Sequence, residues 1–355
     1  MKKSVIGRTY GWRKDKLDKR DFKYRATRKV AAIGLPSKVD LRPGCPPVYD
    51  QGQISDCVGN GVAAGHQFEQ IKQDMSSSTG AIDFIPSRLF IYYGARELEG
   101  TTDSDSGAEI RDGIKTAVKQ GVCPETMWPH DPRMVTEKPT DGCYQNALTH
   151  QVLQYLSVDQ TLDEMRSCLA EGYPIIMGFT VYESFENDEV ARSGIVNMPE
   201  VGEEPVGGHA ICAVGYDDTT RRFLVRNSWG SGWGQKGYFT IPYEYFLDLQ
   251  LASDLWTIRF VEVPADPTPV PDPVPMPEPV PEPVPEPEPD PGKFKLAPSL
   301  DCTYWRMWTQ FIGAVNTELD KGQSLNAAVI AGCQKVGEKT RAVNDALAKI
   351  AIDSK

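Results

Sequence analysis

The sequence predicts an α+β fold with two packed lobes. Three observations predict it. Residues 57–171 carry apolar positions at helical spacing. Residues 174–241 carry short apolar runs bounded by Gly, Pro, Asp or Asn, as strands are. Proline on alternate positions then ends the folded stretch at about residue 263.

The elements follow in order. After Cys57, the positions Val58, Val62, Gly65 and Phe68 share one helix face, and the small residues among them allow close packing. Cys57 is therefore predicted at or near a helix N-terminus. A second helix is expected over Pro86–Leu98. A third covers Glu109–Lys119, stopped by Gln120-Gly121, and a fourth covers Leu162–Glu171, ended by Gly172. Strands are expected over Pro174–Val181, His209–Tyr216, Arg222–Arg226 and Gly237–Ile241.

The chain of 355 residues divides into four segments. Residues 1–34 form a basic arm, with twelve Lys or Arg against three Asp in the first thirty positions. Tyr10-Gly11-Trp12 and Phe22-Lys23-Tyr24 offer aromatic anchors that would strap such an arm to the next domain. Residues 35–262 form the globular body. Residues 263–292 are a Pro/Glu-rich linker that holds half of the 28 prolines. Such a tract favours polyproline II and reads as a semi-rigid spacer, reaching roughly 85–90 Å if fully extended. Residues 293–355 resemble a helical hairpin. Leu300, Tyr304, Trp308, Phe311, Ile312, Val315 and Leu319 mark one face; Val329, Val336, Val343 and Ile350 recur every seventh residue on the other helix. Two helices alone have little core, so this segment is expected to pack on an assembly partner or on copies of itself.

The net charge of −11 averages a basic arm and an acidic linker, opposite charges that would attract if the two lay side by side, and so says little about partners. No apolar run approaches the ~18 residues of a membrane span. The N-terminus lacks the apolar core of a secretory signal, so none is expected. A cytoplasmic setting, or a place in a phage particle or surface assembly, is anticipated. No nucleic-acid partner, cofactor or metal is expected: the eight cysteines show no C-x-x-C pair and no zinc spacing. In an oxidising setting the likeliest bridge is Cys123–Cys143, which flank a turn-rich segment. Cys302 and Cys333 stand out of register in the hairpin and are expected to remain unbridged.

Chemistry concentrates in three places: Gln51-Gly52 ahead of Cys57, Gly207-Gly208-His209, and Asn227-Ser228-Trp229-Gly230. A thiol is a useful nucleophile only as thiolate, which the positive end of a helix and a nearby imidazolium both favour. Of four histidines, His66 lies too far along the first helix to reach back to Cys57. His130 and His150 stand in turn-like surroundings and are expected in surface or packing roles. His209 opens a predicted strand, after two glycines that permit close approach of a substrate backbone. Asn227, after the next strand, is a candidate to orient its ring.

These residues resemble the papain-like cysteine peptidases, in their bacterial or phage-type branch. Val39-Asp40-Leu41-Arg42 looks like the start of the family's mature domain, Gln51-Gly52 stands at the family's distance from Cys57, and Gly208-His209-Ala210 with Val214-Gly215-Tyr216 matches its His block. Asn227 to Tyr238 matches its Asn block almost residue for residue. The resemblance covers roughly residues 35–262 and implies a helical lobe and an antiparallel β lobe with the substrate cleft between. It implies Cys57 as nucleophile and His209 as its imidazolium partner. Asn227 would orient His209, Trp229 would shield that contact, and the Gln51 side chain with the Cys57 N–H would form an oxyanion hole. Gly107, Gly208 and Trp229 would border the cleft of an endopeptidase acting on polypeptides. The other reading is a catalytically silent relative that binds peptides within a larger assembly. The chain departs from the family in three ways. Ile54 stands where a cysteine commonly precedes the nucleophile. Asp56 adjoins Cys57, where its charge would raise the thiol pKa if it pointed inward; it is expected to face solvent. The arm, residues 1–34, is shorter than the usual pro-segment: the resemblance implies either a short remnant that blocks the cleft or a permanent strap.

Overall fold

The computed structural model describes residues 9–16, 18, 21–26, 34–77 and 84–262. The expected spacer, the expected C-terminal hairpin and its cysteines 302 and 333 lie outside those residues.

In chain order the elements are β1 (Trp12–Arg13), β2 (Lys38–Asp40), α1 (Cys57–Ser77), α2 (Arg88–Glu99), β3 (Ala108–Glu109), α3 (Ile110–Lys119), α4 (Asp141–Ala147), β4 (Val152–Ser157), α5 (Leu162–Ala170), β5 (Ile175–Tyr182), α6 (Asp188–Ser193), β6 (Pro205–Asp217), β7 (Arg222–Arg226), β8 (Tyr238–Pro242), α7 (Tyr243–Leu247) and β9 (Ala252–Val261). Helices dominate the first half and strands the second, the α+β arrangement that the periodicity predicts.

The helical lobe is built on α1, which begins at Cys57. Its small residues let neighbours close in: a Cβ on Gly59 would stand 2.5 Å from the carbonyl oxygen of Arg88, so a side chain there would push α2 away. Helix α2 is capped by Ser87, whose hydroxyl accepts the Phe90 N–H at 3.2 Å, and ends at Gly100 in the left-handed region. Val58, Val62, Leu89, Ile91, Ile110 and Ile114 are almost fully buried between the three helices.

The β lobe is a seven-stranded antiparallel sheet in the order β4-β9-β5-β6-β7-β8, with β2 added beside β6. A second core packs on it, with Phe179, Phe185, Phe223, Phe239 and Phe246 nearly inaccessible. Strand β6 begins at Pro205, earlier than expected, because Gly207 and Gly208 already pair with Val181 and Thr180 of β5. His209 therefore sits inside a strand instead of opening one. Strands β4 and β9 escape the sequence reading altogether. Cys123 and Cys143, the pair named for a bridge in an oxidising setting, are both buried free thiols here, hydrogen-bonded to one another. Among the described residues no helix is long and apolar enough to cross a membrane.

Candidate active site

The start of α1 and the middle of β6 meet at Cys57. The backbone of Ala210, the residue after His209, is hydrogen-bonded to the Cys57 thiol. His209 Nε2 meets Asn227 Oδ1 at 2.8 Å, and the same oxygen accepts the Ser228 N–H at 2.8 Å. A short strand, β7, delivers Asn227 to this point one residue after its end. The ring of Trp229 lies 5.2 Å from that of His209 at 31° and is itself buried. The sequence blocks around 57, 209 and 227 are thus one place in the fold.

Gln51 is fixed beside them. Its backbone N–H donates to the Ser228 carbonyl at 2.9 Å, and its Oε1 accepts the Ser228 hydroxyl at 2.6 Å. That fixes the orientation of the amide and turns Nε2 toward the Ile54 carbonyl at 3.0 Å and the Thr9 carbonyl at 3.4 Å. Gln51 therefore presents a fixed donor, already engaged by a carbonyl of the N-terminal arm.

That arm runs through the site. Residue by residue, Thr9 meets the Gln51 amide, Tyr10 lies against His209 and Trp229 with ring centroids 5.9 and 6.2 Å away, and the Gly11 backbone is hydrogen-bonded to the Cys57 thiol. The Gly11 carbonyl accepts the Ala108 N–H at 2.7 Å, and β1 pairs in parallel with β3. The fit depends on glycine on both sides. A Cβ on Gly11 would stand 1.8 Å from the Ser55 carbonyl oxygen, and one on Gly178 would stand 1.9 Å from the Trp12 indole. Gly107 and Gly208, both expected to border the cleft, touch the arm's Gly11 and Trp12.

Charge and hydrogen bonds hold the arm down. Trp12 Nε1 donates to Asp254 at 3.0 Å and the Tyr10 hydroxyl donates to Glu186 at 2.5 Å. Arg13 pairs with Glu99, Lys16 Nζ lies 3.7 Å from Glu109, and Arg111 reaches Asp21 at 2.6 Å. Further on, Tyr24 is buried and its N–H donates to the Ser157 carbonyl at 2.8 Å, whereas Phe22, the other expected anchor, is exposed.

Under the arm both Cys57 and His209 are fully buried. Burial, and then the charge of Asp56, push the Cys57 thiol up to about 12, against hydrogen bonds from Ala210, Gly11 and Val58 that lower it. Asp56 does not face solvent as expected; it is fully buried and meets His130 Nε2 at 2.8 Å. The reason is local: Asp56 is the last residue before α1, and the turn that follows Trp128-Pro129 brings His130 over it. His130 is thus neither exposed nor idle, and no pattern in the sequence ties it to position 56. Ser228, inside the Asn227 block, was the legible signal for the Gln51 contact. His66 and His150 pack together instead, His66 Nε2 lying 3.2 Å from the His150 carbonyl.

The comparisons with known proteins agree with this fold. The sequence profile of the papain family cysteine proteases matches residues 99–253. The uncharacterized peptidase C1-like protein L477 of Acanthamoeba polyphaga mimivirus is 42% identical over 287 residues, 74% of this chain and 91% of its own. The crystal structure of xylellain, a cysteine protease from Xylella fastidiosa, is 44% identical with a TM-score of 0.65, covering 73% of this chain and 97% of that one. A procathepsin B from Trypanosoma congolense shares the fold, with a TM-score of 0.57 at 17% identity, covering 73% of this chain and 88% of that one. A two-lobed α+β fold with a cysteine at the interface defines a cysteine-type peptidase, a hydrolase of peptide bonds. The chain belongs to the papain family of cysteine peptidases.

Proposed function

We propose that the chain is a cysteine endopeptidase working through a Cys57 thiolate–His209 imidazolium pair, and that residues 9–16 hold it latent. Cys57 Sγ attacks the scissile carbonyl carbon, and the carbonyl electrons move onto oxygen. The Gln51 amide and the Cys57 N–H receive that oxyanion, charge that exists only in the transition state and the intermediate beside it. His209 then gives its proton to the departing amine, leaving an acyl-thioester. Water, deprotonated by His209, releases the acid and restores the thiol. Asn227 keeps the imidazole ring turned for both transfers, and Trp229 covers their contact from water. Gly107, Gly208 and Trp229 line the cleft that receives the polypeptide.

One observation carries this reading: Gln51 Nε2 already meets a peptide carbonyl of the arm, that of Thr9 at 3.4 Å, and two residues on, the Gly11 backbone is hydrogen-bonded to the Cys57 thiol. A polypeptide backbone fits the cleft because one lies in it. Latency follows from the same path, since the arm lies against the Gln51 amide, the His209 ring and the Cys57 thiol, where a substrate would bind.

The test compares four full-length chains on a peptide library: wild type, Cys57→Ser, Gly11→Ala, and the double variant. The added methyl of Gly11→Ala collides with the Ser55 backbone and should lift the arm without altering the body. Internal cleavage is expected to rise in Gly11→Ala and vanish in both Cys57→Ser chains. Cleavage that persists without Cys57 overturns the mechanism. No gain in Gly11→Ala overturns the latency.

A further inference from the structure

The proposed mechanism asks for a negative charge on Cys57, yet the preceding residue is a buried acid. Asp56 is fully inaccessible, and an isolated carboxylate is expensive in that setting. The groups around it are mostly engaged elsewhere. From α2, Arg88 is taken by Glu125 through two contacts of 2.7 Å, and Arg96 by the carbonyls of Ser104 and Val135. Asp105, another acid facing this corner, is held by the Ser55 N–H at 3.1 and 3.0 Å and by the Tyr92 hydroxyl at 2.7 Å. Asp131, beside His130, is clamped by Arg133 at 2.5 Å. What remains for Asp56 is His130, at 2.8 Å on Oδ2, while Oδ1 has no hydrogen-bond partner among the described residues.

We propose that His130 is a positioning residue for the nucleophile: by pairing with Asp56 it cancels a buried negative charge one residue from Cys57, and so leaves room for the thiolate. The inference rests on the reading of Cys57 as nucleophile. The physics is charge addition at short range in a weak dielectric. A second anion beside the first is disfavoured, and an imidazole N–H hydrogen-bonded to the first lowers the penalty. Burial holds the Asp56 carboxyl above its ordinary range, and the His130 hydrogen bond and charge act against that rise without cancelling it. The pair also fixes the backbone at the helix start, where the Asp56 carbonyl accepts the Asn60 N–H at 3.0 Å and the Asn60 side-chain amide at 3.0 Å. A purely structural role would end there. A charge role makes a further demand, that the two residues be removable together.

The experiment measures alkylation of Cys57 by iodoacetamide from pH 4 to 9, read by peptide mass spectrometry. It uses the full-length chain with and without Gly11→Ala. His130→Gln is expected to lower the Cys57 rate at pH 7 about tenfold, equivalent to one pKa unit, and to narrow the pH range of fast reaction. Adding Asp56→Asn to His130→Gln is expected to restore the rate to within about twofold. If His130→Gln alone fails to fold, the double variant decides, since it carries no buried charge. A folded double variant that reacts slowly overturns the inference, as does an unchanged pH profile in His130→Gln. Failure of the underlying reading looks different: Cys57 then reacts no faster than the partly exposed Cys45, in either chain, before His130 is touched.

Discussion

Asp254 of β9 accepts the backbone N–H of Asp15 at 2.8 Å, which brings two acidic side chains to the seam between the arm and the body. Asp15 is otherwise satisfied by the Arg111 N–H at 3.1 Å and the Trp256 indole at 2.7 Å. Burial first, and then the neighbouring Asp254 charge, raise the Asp15 carboxyl from 3.8 to about 7. Asp254 is raised as well, by burial first.

A pH dependence of latency follows. A carboxyl raised in the docked arm binds its proton more tightly there than in the free arm. Docking is therefore strongest below about 4, weakens as pH rises, and reaches its floor above about 7. Limited proteolysis of the arm should accelerate across that window. Asp254→Asn keeps an oxygen for both hydrogen bonds and removes the like charge, so it should slow proteolysis at pH 7 and flatten the curve. A wild-type arm that loosens on acidification would contradict the assignment.

Asn227 accepts from the His209 ring and is expected to matter for rate more than for fold. A hydrogen bond to a charged group contributes about 1.5–3 kcal/mol, so Asn227→Ala should cost roughly 10- to 150-fold in kcat. KM should change far less. The comparison is made on Gly11→Ala chains by steady-state kinetics. A loss confined to KM would show that Asn227 acts on substrate binding instead.

Gln51 has a structural and a chemical end. Its Oε1 accepts the Ser228 hydroxyl, while Nε2 is the proposed oxyanion donor. Gln51→Glu keeps the shape and the acceptor but replaces the donor, and should cost about 10²–10³ in kcat. A melting curve close to wild type alongside that loss separates donor chemistry from packing. Retained turnover in Gln51→Glu would remove Gln51 from the oxyanion hole.

Legibility in the sequence follows the range of the forces involved. Helices α1, α2, α3 and α5 and strands β5, β7 and β8 were readable because their own periodicity, caps and Gly stops determine them. Strand β9 was not: it lies between β4 and β5, buried for much of its length, and Asp254 interrupts it with a φ of 60°. Cys57, His209 and Asn227 were legible as motifs, and the geometry brings them together. The Asp56–His130 pair spans 74 positions and belongs to no motif. The arm's seat was legible only in outline: its aromatic anchors suggested a strap, but the glycines that receive Trp12, Gly178 of β5 and Gly208 of β6, lie far along the chain in adjacent strands of the β lobe.

The most direct measurement is to trap the acyl-enzyme. A full-length Gly11→Ala chain is mixed with an activated peptide ester, quenched in acid within the first turnover, and mapped by mass spectrometry. The account predicts one acyl group per chain on Cys57, absent from Cys57→Ser and formed far more slowly when His209 is replaced by a residue that cannot pair with the thiol. An acyl group on another side chain, or turnover with Cys57 unmodified throughout, would contradict it.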